Sequence, residues 1–231
     1  MAKVIAALIR HGDYQQLTDT PSAHQPFPLT EKGFFQANTL ADLIEERCTQ
    51  FKCQINPVIA SSRLLRAWQT ANTLTQGLNG SIYSIQEYTE LAERGVGSAA
   101  NLSMQQITDI VQQDPRYANL PKGWKSDSHF CLPFQGAESL LDAGQRVANL
   151  LTVEMQALYQ QSQVDQIKIF VGHGAAFRHA AYHLGLLQYE QIAQLSMFHC
   201  QPIFIEYQAG NNWQHIAGAW KIRKAHSQFT D

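Results

Sequence analysis

The 231-residue sequence predicts an α/β fold in which helices cover both faces of a central sheet. Residues 3–9 form a near-continuous apolar run, which is typical of a buried strand in a parallel sheet. Further predicted strands then alternate with amphipathic helices, as in βαβ units. Hydrophobic residues make up 45% of the chain, which is enough for a large core and argues against intrinsic disorder.

In the first half of the chain, three strands and two helices are predicted. The strand at 3–9 precedes a Gly-, Thr- and Pro-rich loop at 12–28. Thr30 is able to cap a helix over about 31–47, whose apolar stripe includes Phe34. The remaining predicted elements here are a strand at 58–60, a helix over about 63–76 and a strand at 81–87.

The second half predicts a short helix near 103–112, a helix over about 138–160, a strand at 166–172 and a helix after His173. Residues 98–137 mostly lack a clear period and are long for a connection, so we interpret them as an active-site cover. Strands at 202–207 and 213–217 form a predicted hairpin. The 202–207 strand either lies at a sheet edge, where it would mediate a dimer, or is covered within the chain; monomer and homodimer both stay open.

Net charge and composition exclude several classes of partner and location for this protein. The net charge of −2 offers no basic excess, so we expect neither a nucleic-acid nor a membrane partner. The apolar N-terminal run ends at Arg10 and is too short for a signal peptide, and no run reaches the roughly 18 residues of a membrane span. We therefore expect a single cytoplasmic domain over 1–231. Four cysteines lack zinc-ligand spacing and are interpreted as free thiols.

Charged side chains follow four predicted strands at their carboxyl ends, where open α/β sheets bind ligands. These residues are Arg10, His11, Arg66, Glu93, Arg94 and His173. Each has a structural alternative, such as a solvated helix arginine or a surface ion pair. Because the residues at all four strand ends converge on one sheet edge, a shared chemical role is favoured over unrelated structural roles at each strand end.

The chemistry that fits is phosphoryl transfer through histidine. A neutral imidazole such as His11 is a nucleophile, and the arginines Arg10 and Arg66 suit the charge of a transferring phosphoryl group. His173 offers a further hydrogen bond, and the backbone of Gly174 lies at a helix start, where free N–H groups bind anions. Glu93 is the acid placed to protonate the leaving oxygen and then to activate water.

The sequence resembles the histidine phosphatase superfamily, also called the phosphoglycerate mutase-like family. Six motifs match in the family's order across about residues 3–185: RHG at 10–12, LTxxGxxQA at 29–37, SxLxRAxQTA at 62–71, the acid-bearing LAER at 91–94, GxESxxDxxxRV at 136–147 and VGHG at 171–174.

The resemblance implies a three-layer α/β/α fold with a mixed, mostly parallel sheet. It implies His11 as the phosphorylated nucleophile, Arg10, Arg66 and His173 as the phosphate pocket and Glu93 as the proton donor. It further implies a metal-independent phosphatase, without a cofactor, that acts on a small phosphorylated substrate.

The sequence departs from the family pattern at three places, and the last two departures favour a phosphatase over a mutase. Relatives often carry an asparagine shortly after the RHG motif; here Gln15 or Gln16 is the candidate for that contact. The FTGW-like segment of the mutases is replaced by Gln-Pro-Phe-Pro at 25–28, and only Arg116 stands where they carry paired arginines. Arg94 matches a substrate-contacting arginine of the mutases and is a candidate substrate residue.

Three alternatives to the phosphatase stay open. The chain is either a cofactor-dependent mutase that moves phosphate between positions, a phospho-ligand binding module without catalysis, or a metallohydrolase. The last would use His179 and His183, which stand at i, i+4 on a predicted helix but lack the glutamate of an HExxH motif.

Overall fold

The computed structural model describes residues 2–79 and 83–223 and forms a mixed α/β sheet with helices on both faces. The strands are β1 (Val4–Arg10), β2 (Gln54–Ile55), β3 (Val58–Ser62), β4 (Ser84–Tyr88), β5 (Gln166–Gly172), β6 (Leu195–Ser196), β7 (Ile203–Gln208), β8 (Asn212–Ala217) and β9 (Lys221–Ile222). The α-helices are α1 (Glu31–Asn38), α2 (Leu40–Phe51), α3 (Leu65–Gly77), α4 (Met104–Gln113), α5 (Leu140–Gln161), α6 (Gly174–His183) and α7 (Tyr189–Ile192).

The central sheet has the strand order β4-β3-β5-β1-β7-β8, with β2 also pairing with β5. Neighbours among β4, β3, β5 and β1 are parallel, whereas β7 pairs antiparallel with both β1 and β8. The carboxyl ends of the four parallel strands therefore meet at one edge, which is the arrangement that the sequence predicts. β6 and β9 form a separate two-stranded sheet.

The pleat of β1 divides the core into two apolar clusters. Ile5, Ala7 and Ile9 face the cluster under α1, α2 and α3, and Val4, Ala6 and Leu8 face the cluster under α5 and α6. All six side chains are fully buried. The alternation explains why β1 reads as an unbroken apolar run, since both of its faces are covered.

Some predicted elements differ from the structure. The predicted helix over 31–47 is two helices, because Thr39 interrupts the backbone between α1 and α2. Thr30 caps α1 as predicted, accepting a hydrogen bond from Gly33 N, but Phe34 is partly exposed. The predicted strand at 81–87 is β4, which ends one residue later; Ser81 and Ile82 lie outside the described residues.

The predicted C-terminal hairpin is confirmed as β7 and β8. Because β7 lies between β1 and β8, the alternative that places the 202–207 strand at a sheet edge is wrong. In the described ranges, no helix has the length and apolar character needed to cross a membrane.

The cover segment, residues 98–137, contains α4 and a short 3-10 helix at Trp124–Ser126. It has an apolar cluster distinct from the two under the sheet, built around Ile107, Trp124 and Leu132. Ala23, from the loop after β1, belongs to the same cluster. The cover therefore packs against the loop that follows the RHG motif.

Candidate active site

Residues from three strand ends come together at the carboxyl edge of the sheet. His11 follows β1, Arg66 lies in the first turn of α3, and His173 precedes α6. The ring centroids of His11 and His173 are 5.0 Å apart, and the Arg66 Nε lies 3.2 Å from His11 Nε2. His11 is 2% exposed and the other two are fully buried. The predicted convergence of these three side chains is therefore present in the structure.

The hydrogen bonds of His11 determine its tautomer. Nδ1 lies 2.7 Å from the carbonyl oxygen of Gly12. Because a carbonyl only accepts hydrogen bonds, Nδ1 carries the proton and Nε2 keeps its lone pair. Burial lowers the pKa of His11 well below 6.5, and the charge of Arg66 lowers it further. The imidazole is therefore neutral at pH 7, with the lone pair of Nε2 turned toward the guanidinium.

Arg66 is held by the loop that follows the RHG motif. Its Nη1 donates to Gln25 O at 2.8 Å, and its Nη2 donates to Ala23 O at 2.8 Å and to Ser22 O at 3.3 Å. The guanidinium carbon also lies 4.5 Å from the centroid of the Tyr14 ring, a cation–π contact. The loop carbonyls thus hold a buried guanidinium in a fixed orientation against His11.

His173 and Arg10 are the other two side chains of the predicted phosphate pocket. His173 Nε2 lies 2.9 Å from Ser62 Oγ, and its buried Nδ1 has no hydrogen-bond partner among residues 2–79 and 83–223. Arg10 Nη1 donates to Met197 O at 3.0 Å. The Arg10 side chain passes so close to Gly174 that a Cβ there would lie 3.0 Å from Arg10 Cδ. Only glycine at the start of α6 allows this approach without a shift.

Glu93 is 6% exposed and lies beside Arg94 at the wall of a small cavity. Arg146 on α5 fixes this segment by donating to the carbonyls of Glu90 and Ala92, at 2.6 and 3.2 Å, and by pairing with Glu138. The Glu93 Oε1 accepts a hydrogen bond from the backbone N–H of Arg94 at 2.9 Å. The carboxylate is therefore held in one place rather than free in solvent.

The cavity has a volume of about 20 Å³, room for about one water molecule. Besides Glu93, its charged lining residues are Arg94, Lys125, Arg178 and Arg223. Lys125 belongs to the cover segment, and its carbonyl accepts a hydrogen bond from Arg94 Nη1 at 3.2 Å. The lining thus carries four basic side chains and one carboxyl group.

Comparison with known proteins identifies the family of the chain. The profile of the histidine phosphatase superfamily (branch 1) matches residues 6–217. The chain belongs to this superfamily. A curated relative of this histidine phosphatase chain is the 2,3-bisphosphoglycerate-dependent phosphoglycerate mutase 2 of Gloeobacter violaceus, which is 22% identical over 213 residues, 92% of this chain and 90% of the relative.

Two solved structures share the fold. A mycobacterial glucosyl-3-phosphoglycerate phosphatase has a TM-score of 0.66 at 18% identity, over 96% of this chain and 97% of that one. The alpha-ribazole phosphatase of Shigella flexneri has a TM-score of 0.68 at 20% identity, over 93% of this chain and 95% of that one. At these identities the likeness concerns the fold alone.

The structure of this histidine phosphatase chain also adds residues that the sequence analysis missed. Tyr14 packs edge-on against His11, with ring centroids 5.3 Å apart, whereas the neighbouring Gln15, predicted to contact substrate, is exposed. Ser62 contacts His173 and could have been found as the first residue of the SxLxRA motif. His199 donates to the His11 carbonyl, but no motif surrounds it and 188 residues separate the two.

The two histidines that the metallohydrolase alternative would use, His179 and His183, form hydrogen bonds with other residues. His179 Nδ1 donates to Ala175 O at 2.7 Å and its Nε2 lies 3.1 Å from Ser128 Oγ, while His183 Nε2 donates to Leu141 O at 3.0 Å. Within the described part of the chain, no three His, Cys, Asp or Glu side chains form a group that could hold a metal ion.

Proposed function

We propose that this chain is a metal-independent phosphatase that hydrolyses a small phosphomonoester through a phosphohistidine on His11. One observation carries the proposal: the Nε2 lone pair of a neutral, buried His11 faces the guanidinium of Arg66. A nucleophile beside fixed cationic donors is what an in-line attack on phosphorus requires.

The reaction has two steps. In the first, His11 Nε2 bonds to phosphorus, the ester P–O bond breaks, and the leaving oxygen takes a proton from Glu93. In the second, Glu93 accepts a proton from water, the water oxygen attacks phosphorus, and the P–N bond breaks to restore neutral His11. Arg10, Arg66 and His173, with the N–H of Gly174, would bind the equatorial oxygens, whose charge grows in each transition state.

The cavity beside Glu93 bears on the part of the substrate beyond the phosphoryl group, since neither His11 nor Arg66 lines it. Its four cationic lining residues favour an ester that carries a further negative charge, with Arg94 as the candidate contact. Lys125 of the cover segment and Ala23 of the loop after β1 both line the cavity, so these two segments border the space that such an ester would enter.

Phosphate release from para-nitrophenyl phosphate and from a panel of metabolite esters tests the proposal. We expect release that EDTA does not change, that His11→Ala abolishes, and that His215→Ala, at an exposed histidine, leaves intact. A quenched reaction should contain an acid-labile, alkali-stable phosphoprotein. Release that stops with EDTA, or that persists in His11→Ala, would contradict the mechanism.

Mutase-type phosphotransfer is the second candidate, favoured by the name of the Gloeobacter relative and by the position of Arg94. Against it, Arg116 forms an exposed ion pair with Asp114 and does not line the cavity. Incubation with phosphoglycerate and a bisphosphate primer separates the two, because a mutase forms isomer while a phosphatase forms free phosphate. A binding module without catalysis would give neither product.

A further inference from the structure

His199 lies against the peptide group that joins His11 to Gly12. Its Nδ1 is 2.6 Å from the carbonyl oxygen of His11, and its ring centroid is 5.5 Å from that of His11. Since the carbonyl only accepts, His199 Nδ1 carries the proton of this hydrogen bond. The other end of the same peptide group, the N–H of Gly12, donates to Thr70 Oγ1 at 3.1 Å.

The peptide group between His11 and Gly12 is joined through Gly12 Cα to the next one, whose carbonyl accepts the Nδ1 proton of His11. The N–H of that next peptide group, on Asp13, donates to Gln36 Oε1 at 2.8 Å. Gly12 has no Cβ, so rotation about its own backbone bonds meets little intrinsic resistance. His199 and Thr70 hold the peptide group before Gly12, and Gln36 holds the one after it.

The backbone around His199 is itself fixed. Cys200 N donates to Arg10 O at 2.9 Å, and Arg10 Nη1 donates to Met197 O at 3.0 Å. Cys200 is buried and has φ of 53°, a left-handed conformation that a residue with a side chain rarely adopts. The turn that carries His199 is therefore built on a strained residue that is bonded to the RHG motif.

We propose that His199 is a positioning residue: through Nδ1 it locks the His11–Gly12 peptide group and so keeps Nε2 of His11 aimed at phosphorus. The inference rests on the proposed phosphohistidine mechanism. It assigns His199 no contact with the substrate, so its loss affects the chemical step more than binding.

Asparagine and glutamine variants distinguish the role of His199 Nδ1 from that of Nε2. In His199→Asn the amide NH₂ takes the place of Nδ1, whereas in His199→Gln it reaches the place of Nε2. With para-nitrophenyl phosphate, we expect His199→Ala and His199→Gln to lower kcat about 10- to 100-fold with KM changed less than about threefold. His199→Asn should stay within about threefold of the wild type in kcat.

Two controls make the comparison decisive. Melting temperatures of all variants identify any that fail through misfolding, and His215→Ala reports the effect of losing an exposed histidine. Wild-type kcat in His199→Ala, or an Asn variant as impaired as the Ala variant while folded, would overturn the proposal.

A readout without turnover separates this inference from the proposed function. Nitrogen-15 NMR of the His11 ring reports its tautomer directly. We expect the Nδ1–H form in the wild type and His199→Asn, and a mixture of forms in His199→Ala. If the wild type releases no phosphate but the tautomer responds in this way, the phosphatase proposal fails and the positioning role stands. An unchanged tautomer in His199→Ala would overturn the positioning role.

Discussion

Arg66 Nε donates a hydrogen bond to His11 Nε2 across 3.2 Å, while the other two nitrogens of the guanidinium hold the loop carbonyls of Ser22, Ala23 and Gln25. One buried side chain therefore links the imidazole to the loop that follows the RHG motif. A substrate phosphoryl group placed at Nε2 would replace the first of these contacts.

Arg66→Lys tests this double role. Lysine keeps the charge but lacks the planar fork, so it cannot serve His11 and three carbonyls together. We expect kcat/KM for para-nitrophenyl phosphate to fall about 100-fold or more. We expect the free energy of unfolding in urea to fall by about 1–3 kcal/mol, because buried carbonyls lose their donors. Arg116→Lys, at an exposed ion pair, is the matched control and should change neither quantity.

Glu93→Gln tests the proton donor. The amide cannot release a proton to the leaving oxygen, so kcat for an alkyl phosphate should fall about 10²- to 10⁴-fold. Para-nitrophenol needs no such proton, so the aryl ester should still phosphorylate His11 and release a burst of nitrophenol. Hydrolysis of the phosphohistidine would then be slow, because Gln cannot activate water. A variant without the nitrophenol burst, or a similar effect of Glu90→Gln at the exposed neighbouring acid, would contradict the assignment.

Acid should destabilise the folded protein as the pH falls below 6.5. Burial, reinforced by nearby arginines, holds the pKa values of His11 and His173 well below 6.5 and lowers the pKa of His179 to about 3. Below pH 6.5 these histidines are therefore protonated in the unfolded chain but stay neutral in the folded protein. Each such histidine lowers the free energy of unfolding by up to about 1.4 kcal/mol per pH unit until its folded pKa is reached.

Urea unfolding at pH 7, 6 and 5 measures this slope. His179→Asn keeps a donor for the Ala175 carbonyl but cannot be protonated. The slope of the free energy of unfolding against pH should therefore correspond to about one proton fewer taken up on unfolding. An unchanged slope in this variant would show that His179 titrates normally in the folded state.

Gly33 marks where α1 docks on the RHG motif. A Cβ at this position would lie 1.9 Å from the carbonyl oxygen of Asp13, and its three nearest neighbours are all backbone atoms of Asp13, which cannot move aside as a flexible side chain would. We expect Gly33→Ala to lower the free energy of unfolding by about 3 kcal/mol or more. Gly123→Ala, at φ of 78° with open space around the new Cβ, should cost only about 1–2 kcal/mol. Chemical denaturation compares the two variants.

Much of the sheet could be predicted because local sequence patterns identify its strands. β1 and β5 are buried on both faces and read as apolar runs, and polar residues follow directly at the carboxyl edge. His11, Arg66 and His173 were found for this reason. The break between α1 and α2 was missed because the apolar stripe through Ala37, Leu40 and Ile44 continues across it, although the Thr39 hydroxyl donates to Gln36 O at the break.

Two parts of the candidate site could not be predicted, for physical reasons. The loop that holds Arg66 does so through backbone carbonyls, which every residue has, so the side chains at 22–25 carry no signal for it. His199 reaches His11 only because the chain returns beside β1 just before β7, a long-range pairing that no local spacing encodes.

Ala23 takes part in two structures at once. Its side chain packs in the apolar cluster of the cover segment, and its carbonyl accepts a hydrogen bond from Arg66. The packing of the cover segment on Ala23 is therefore energetically coupled to the hydrogen bond that orients the Arg66 guanidinium. By reciprocity, a displaced cover weakens the hold on Arg66, and an anion that captures Arg66 weakens the hold on the cover by the same amount.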